Sequence, residues 1–154
     1  DGGPEGVLRD EPAQLELLRT GVTLASVIEK ETGIGTERAL VASVFHNRLK
    51  RGMRLQADPT VIYGLEISGA PWDRERLHKY LDQPGPYNSY TQWGLPPGPI
   101  CNPGESALRA AFVPVDSDYL YFVASGDGSH QFSRTLVEHN RAVAVARRRS
   151  RSGS

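Results

Sequence analysis

The chain has 154 residues, of which 38% are apolar and 23% charged, as in ordinary soluble globular proteins. This composition supplies enough apolar material for a core, which excludes a wholly disordered chain and a disulfide-stapled miniprotein. Its 18 basic residues balance its 18 acidic residues, so the net charge gives no argument for binding nucleic acid or an anionic membrane.

Apolar residues at helical spacing, together with start and stop signals, predict most of the elements. The predicted helices cover Pro12–Thr32, Thr36–Arg51, Pro59–Leu65, Asp73–Leu81, Pro103–Phe112 and Thr135–Arg148. Gly33 and Gly35 break the pattern after the first helix, and Thr36 is a candidate N-cap for the second. Gly52 suits the left-handed position after the end of that helix, and Pro59 suits the first turn of the next.

A long loop is expected over residues 82–104, which are rich in proline and glycine. Loops of this length in compact domains are usually functional or disordered. The aromatic side chains Tyr87, Tyr90 and Trp93 argue against disorder here. We therefore expect this loop to contribute to function.

Two strand-like segments, Tyr119–Ser125 and His130–Ser133, are separated by a Gly-Asp-Gly sequence typical of a β-hairpin turn. The predicted fold class is therefore α+β, mostly helical with a small antiparallel sheet, in a single domain. Residues 1–6 are expected to be a loose lead-in, and residues 149–154 a disordered tail.

One carboxylate in the first predicted helix has an unusual position. At 100° per residue, Leu24, Val27 and Ile28 span an arc of about 100°. Glu31 projects from the middle of that arc, whereas Glu29 points about 150° away, toward solvent. An acid on an apolar face should have a raised pKa, so it holds a proton near neutrality as a general acid must. The open alternative is that Glu31 ends the helix and turns out to water.

Polar and aromatic side chains in the following segments suit a cleft for a neutral, hydroxyl-rich ligand. They are Asn47, Arg48, Gln56, Asp58, Thr60, Tyr63, Tyr87, Asn88 and Tyr90. Their amides and hydroxyls can hydrogen-bond to such a ligand, and tyrosine faces suit stacking on sugar rings. The open alternatives are an arginine at the edge of the core, ordinary turn chemistry, and tyrosines that fill a small core.

Other chemistries find little support in the sequence. Cys101 is the only cysteine, which excludes an internal disulfide and a multi-thiolate metal site, and no convincing base accompanies it. The four histidines are scattered and no phosphate-binding glycine pattern occurs, so we expect no metal or cofactor. The closing arginines are typical of a solvated tail rather than of a nucleic-acid site.

Several blocks of residues occur in an order similar to that of a known family. The blocks are Ala25–Thr32, Val41–Leu49, Gly52–Gly64, Tyr87–Tyr90, Gly94–Ile100, Asn102–Gly104, Tyr119–Val123 and Glu138–Asn140. Between about Leu24 and Arg141 the chain resembles the catalytic domain of the YceG-like family, the endolytic murein transglycosylases. Residues 1–20 match poorly, so we expect the catalytic domain to comprise residues 21–148.

The resemblance implies cleavage of the β-1,4 bond between N-acetylmuramic acid and N-acetylglucosamine within glycan strands, which leaves a 1,6-anhydro-muramoyl end. It aligns the family's catalytic glutamate with Glu31, on a helix like that of lysozyme. It also implies action near peptidoglycan synthases, ending the growth of nascent strands, at the extracytoplasmic face of the bacterial cytoplasmic membrane. Family members usually carry an N-terminal membrane helix. No apolar run here approaches the roughly 18–20 residues of a span, so we expect that anchor to lie outside this sequence.

The sequence leaves two other functions open. One is a muramidase-type glycoside hydrolase that uses the same acid, with Asp58 as its second carboxylate. The other is a non-catalytic glycan-binding module that keeps the cleft without turnover.

Overall fold

A computed structural model describes residues 11–153. Its elements are α1 (Glu11–Glu31), α2 (Gly35–Lys50), α3 (Asp58–Ser68), a 3-10 helix (Arg74–Lys79), α4 (Glu105–Phe112), β1 (Tyr121–Ala124), β2 (His130–Ser133) and α5 (Leu136–Ser152). The order agrees with the predicted one, and the predicted α+β class is confirmed, because the chain is mostly helical with one two-stranded antiparallel sheet. Among the described residues, no helix has the length and apolarity needed to cross a membrane.

The core lies where α1, α2 and α4 meet. Val27 and Ile28 of α1 and Phe45 of α2 are almost completely buried there. Helix α4 contributes the small side chains of Ala107 and Ala111, which let it pack closely against both α1 and α2. The end of α1, and with it Glu31, therefore adjoins the buried core of the molecule.

The proline-rich loop before α4 contains no regular element beyond turns, yet hydrogen bonds tie it to the helices. The backbone N–H of Ile100 donates to the hydroxyl of Ser26 in α1, at 3.0 Å. The hydroxyl of Ser89 accepts from the backbone N–H of Ala57, at 2.8 Å, and lies 2.7 Å from the hydroxyl of Thr60. The loop is thus anchored both to the helix that ends at Glu31 and to the start of α3.

The hairpin presents different side chains to its two faces. Phe122 pairs with Phe132 across the strands, and its ring packs edge-on against Phe45 of the core, with the centroids 5.8 Å apart. Side chains alternate along a strand, so Tyr121 lies on the opposite face. There its ring stacks on that of His139 in α5, with the centroids 5.1 Å apart. The hairpin therefore connects the core to α5.

The start of α2 differs from the prediction. Thr36 is not the N-cap, because α2 begins at Gly35 with Ile34 as the cap residue and without a side-chain cap hydrogen bond. The hydroxyl of Thr32 instead accepts from the N–H of Ile34, at 3.1 Å, which shapes the break between the two helices. Gly52 follows α2 with φ +67°, so the predicted left-handed position is confirmed.

The two ends of the chain also differ from expectation. The predicted lead-in at residues 1–6 lies outside the described residues, and residues 11–19 form the exposed beginning of α1. At the other end, the prediction of a disordered tail from residue 149 was wrong for residues 149–152, which continue α5 to Ser152. The hydroxyl of Thr135 starts that helix by accepting from the N–H of Glu138.

The sequence predicts that Glu29 points toward solvent, but in the structure two contacts cover most of its side chain. Its carboxylate forms an ion pair with Arg38 of α2, at 3.2 Å, and only 27% of its side chain is exposed. It also accepts from the backbone N–H of Gly104, at 3.0 Å, just before α4 begins. Glu29 therefore joins α1 to α2 and to the start of α4. Glu31, at the same end of α1, does not take part in these contacts.

Candidate active site

Glu31 is the last residue of α1 and is partly buried. Burial of its carboxyl group, together with the nearby charge of Asp58, raises its pKa to about 8. Burial has this effect because removal from water penalises the ionised form. The carboxyl group therefore carries a proton at neutral pH, and the alternative of a side chain turned out to water does not describe the structure.

Asp58 and Tyr90 lie close enough to Glu31 to interact with it electrostatically. Asp58 is the first residue of α3, and its Oδ1 accepts a hydrogen bond of 2.5 Å from the hydroxyl of Tyr90. Burial and this bond raise the pKa of Tyr90, which therefore remains a protonated donor. The negative charge of Asp58 is held near the N-terminus of α3, where the helix dipole favours it. The Asp58 carboxylate is therefore held in place near the protonated carboxyl group of Glu31.

Arg48 is buried, with 7% of its surface exposed, and its hydrogen bonds hold several segments of the site together. Its Nε donates to the carbonyl oxygen of Leu120, at 2.6 Å, and its Nη1 donates to that of Arg54, at 2.9 Å. A longer contact of 3.5 Å joins Nη1 to Oε1 of Gln56. The alternative of an arginine reaching for water from the edge of the core is therefore wrong. The guanidinium connects α2, the start of the hairpin and the turn before α3.

Gln56 has a strained backbone. Its φ is +52°, the only positive φ at a non-glycine position among the described residues. Its N–H donates to the carbonyl oxygen of Ser89, at 3.2 Å, while its side chain is exposed. Such strain persists only where the surroundings enforce it, and it is concentrated at functional sites. The contact with Arg48 and the bond to Ser89 hold Gln56 just before Asp58.

Three of the predicted site residues form hydrogen bonds to other parts of the protein through their polar side-chain atoms. The Asn47 side chain donates to the carbonyl oxygen of Tyr119, at 2.9 Å, and to that of Ser117. Thr60 is fully buried and bonds to Ser89, as described above. The buried amide of Asn88 donates to the carbonyl oxygens of two residues in the preceding turn. In this structure these side chains shape the loops around the site.

Tyr63 and Tyr87 pack on each other edge to face, with the ring centroids 4.9 Å apart, and both rest against the core. The structure therefore brings together one subset of the predicted residues, namely Glu31, Arg48, Gln56, Asp58 and Tyr90. The remaining predicted residues form the framework around this subset.

Two aromatic residues of the site were not predicted. Tyr121 lies under Arg48, with the guanidinium carbon 5.0 Å from the ring centroid, and stacks on His139. Burial and the charge of Arg48 lower the pKa of His139, so its ring is neutral at neutral pH. Strand alternation could have separated Tyr121 from Phe122, but no local pattern places His139 beside Arg48. The pairing depends on how α5 packs against the hairpin.

Metal or thiol chemistry finds no support in residues 11–153. No group of three or more histidine, cysteine, aspartate and glutamate side chains there is placed to hold a metal ion. The Cys101 thiol donates to the carbonyl oxygen of Ser26, at 3.3 Å, and burial raises its pKa, which makes it a poor nucleophile. The acid that the site offers is the carboxyl group of Glu31, which is protonated at neutral pH.

Comparison with known proteins shows the family of the chain. The YceG-like family model matches residues 8–145. The endolytic murein transglycosylase of Bacillus subtilis (strain 168) is 49% identical over 121 residues, which is 79% of this chain and 32% of that protein. The protein of the same name from Streptococcus pneumoniae (strain D39) is 36% identical over 129 residues, which is 80% of this chain and 23% of that protein.

A crystal structure of a YceG-like protein from Listeria monocytogenes matches this fold with a TM-score of 0.72 at 44% sequence identity. The match covers 88% of this chain and 44% of the Listeria chain. The chain thus spans less than half the length of each of these relatives. The family match extends over most of the chain and includes Glu31 and the residues around it. The chain therefore belongs to the YceG-like family.

Proposed function

We propose that residues 21–148 form the catalytic domain of an endolytic peptidoglycan lytic transglycosylase. Its substrate is the β-1,4 bond between N-acetylmuramic acid and N-acetylglucosamine within glycan strands. The observation that carries the proposal is Glu31, whose pKa of about 8 supplies a proton donor at neutral pH. The relatives from Bacillus subtilis and Streptococcus pneumoniae, both named endolytic murein transglycosylase, support the substrate and the reaction.

One carboxyl group is sufficient for the proposed reaction. The Glu31 carboxylic acid donates its proton to the glycosidic oxygen as the bond from that oxygen to the anomeric carbon breaks. The N-acetyl group of the muramoyl sugar supports the positive charge that develops at the anomeric carbon. The Glu31 carboxylate then takes the proton of the muramoyl 6-hydroxyl, whose oxygen bonds to the anomeric carbon and closes the anhydro ring. Water is not consumed, and Glu31 regains its proton.

The neighbouring side chains orient the sugar in this mechanism. Asp58 and Tyr90, joined by their 2.5 Å hydrogen bond, and the exposed amide of Gln56 hold the muramoyl ring and its acetamido group. Asp58 also keeps Glu31 protonated, because a second negative charge nearby is unfavourable. Arg48 holds the turn that carries Gln56. These roles agree with the contacts found among the residues of the site.

Action on peptidoglycan places the working enzyme outside the cytoplasm. We further propose that it acts at the outer face of the bacterial cytoplasmic membrane, near peptidoglycan synthases, where a cut within a nascent strand ends its growth. The supporting observation is that the relatives extend well beyond the part matched by this chain, which leaves room for an anchor. No binding of nucleic acid is proposed.

The second candidate is a muramidase-type hydrolase, favoured by the position of Asp58 beside Glu31. Mass spectrometry of fragments released from purified sacculi separates the two reactions. We expect fragments with 1,6-anhydro-muramoyl ends, each lighter by one water than the corresponding hydrolytic fragment. Products that carry reducing muramoyl ends would instead assign the hydrolase. Sacculi that bind the protein and release nothing would leave a glycan-binding module.

The pH dependence of cleavage is a further prediction. Glu31 acts first as an acid and has a pKa of about 8, so activity should persist through neutral pH and fall as the pH rises through about 8. Well above that value, kcat/KM should fall about tenfold per pH unit. The measurement is kcat/KM on soluble glycan strands, with circular dichroism to verify the fold at each pH. A fall centred near the ordinary glutamate pKa would contradict the assignment.

A further inference from the structure

Trp93 lies in the proline-rich loop and has no role in the site described above. It is 65% exposed, which is unusual for so large an apolar side chain. The guanidinium carbon of Arg54 lies 4.3 Å from the centroid of its ring and covers one face. A residue covered on one face and still 65% exposed has its other face open to solvent. The indole is therefore a flat apolar surface, and the Arg54 guanidinium on its covered face fixes its orientation.

The indole is connected to the active site in two ways, through Arg54 and through the chain segment that follows Tyr90. The carbonyl oxygen of Arg54 accepts from Nη1 of Arg48, at 2.9 Å, so the buried arginine that contacts Gln56 also positions the residue that stacks on Trp93. On the other side, Trp93 closely follows Tyr90, the residue that donates to Asp58. These two connections hold Trp93 in a fixed position relative to the site where the scissile bond would lie.

Between Tyr90 and Trp93 the chain has little freedom. The backbone N–H groups of Thr91 and Gln92 both donate to the carbonyl oxygen of Asn88, at 3.1 and 2.9 Å. This turn fixes the direction in which Trp93 leaves the site. A rigid aromatic side chain binds at low entropic cost, because few rotamers are lost when a ligand covers it.

We infer that Trp93 is an outer sugar-binding subsite, on which a hexopyranose remote from the scissile bond stacks. This inference rests on the proposed function. The axial C–H groups of a pyranose give it an apolar face that packs on an indole, and the cation behind the ring holds the indole in place. The ligand is the apolar face of a single sugar of the glycan, and the contact forms only with strands long enough to reach from Glu31 to Trp93.

A remote contact of this kind contributes to binding and leaves the chemical step unchanged. Trp93→Ala should therefore raise KM for long glycan strands about threefold to tenfold while kcat stays within about twofold of the wild type. Short fragments that do not reach Trp93 should be cleaved equally by both proteins. Trp93→Tyr, which keeps an aromatic face, should recover part of the loss.

Fluorescence provides a readout that does not need turnover. The chain has two tryptophans, so Trp72→Phe leaves Trp93 as the single indole, and Glu31→Gln prevents cleavage. Adding peptide-free glycan strands to this double variant should change the tryptophan emission in a saturable way. Calorimetry on the same samples measures binding independently. Binding with unchanged emission would overturn the subsite.

Trp72 also supplies the matched control, because it too has an arginine over its ring, Arg74 at 5.5 Å. Trp72→Ala should leave KM for long strands unchanged, and an equal rise in both alanine variants would overturn the assignment of Trp93. The proposed function fails by a different result. Wild-type protein that releases no fragments from sacculi would remove the lytic activity, and the tryptophan emission of the double variant, read against its calorimetric binding, would still decide the subsite.

Discussion

Glu31→Gln is expected to abolish glycan cleavage, with a loss of at least about 10²-fold and up to about 10⁴-fold in kcat. Glutamine has almost the same shape as a protonated glutamate, so substrate binding should survive while no proton can be donated. The measurement is the release of anhydro-muramoyl fragments from purified sacculi, with binding of soluble strands measured in parallel. Cleavage at the wild-type rate would remove Glu31 from the mechanism.

The same substitution is expected to stabilise the fold at neutral pH. Glu31 has a pKa of about 8 in the folded chain and an ordinary value of 4.5 when unfolded. At about pH 7 ionisation of Glu31 stabilises the unfolded chain, which lowers the free energy of unfolding of the wild type by roughly 2–4 kcal/mol. A neutral glutamine does not ionise, so the variant does not lose this stability. Below the unfolded pKa both states are protonated and the difference should vanish. It should grow from there until the pH passes the folded pKa.

Urea unfolding at about pH 4 and pH 7 measures this difference directly. Glu29→Gln is the matched control, because it changes the same residue type one half-turn earlier in α1. It removes an ion pair with Arg38 and weakens a bond to Gly104, so it should lower stability by about 1 kcal/mol and leave cleavage intact. A Glu31→Gln protein less stable than the wild type at pH 7 would contradict the raised pKa.

The contrast between these two glutamates shows what the sequence could predict. Helical periodicity depends only on local spacing, so the burial of Val27 and Ile28, and the direction of Glu31 with them, followed from the sequence. The same geometry correctly separated Glu29 from that face. It could not reveal Arg38 or Gly104 as partners, because those contacts depend on how α2 and α4 pack against α1.

The polar residues predicted to line the cleft illustrate the same limit. Residue type shows that Asn47 and Asn88 can form hydrogen bonds, and both do, but with backbone carbonyl oxygens of the protein. Gln56 and Tyr90 can both form hydrogen bonds with a sugar, yet the Gln56 side chain is exposed and the Tyr90 hydroxyl donates to Asp58. Only the tertiary arrangement distinguishes side chains that build the cleft from side chains that face it.

Arg48→Met is expected to destabilise the fold by about 3–5 kcal/mol, a large part of the 5–15 kcal/mol typical of a domain. Methionine fills a similar volume but offers no donor, so the carbonyl oxygens of Leu120 and Arg54 lose their bonds. Because the start of the hairpin and the turn before α3 are joined through this guanidinium, both should loosen. The measurement is the midpoint of thermal and urea unfolding.

Arg48→Lys separates charge from geometry. The ammonium keeps the positive charge, yet it cannot reproduce the planar arrangement that donates to Leu120 and Arg54 at once. We expect a smaller loss of stability but a clear fall in kcat at temperatures where the variant is folded, because Gln56 is no longer held in its strained conformation. Arg51→Met, which alters an exposed arginine just after α2, should change neither stability nor activity. If Arg48→Met is as stable as Arg51→Met, the buried guanidinium does not organise the site.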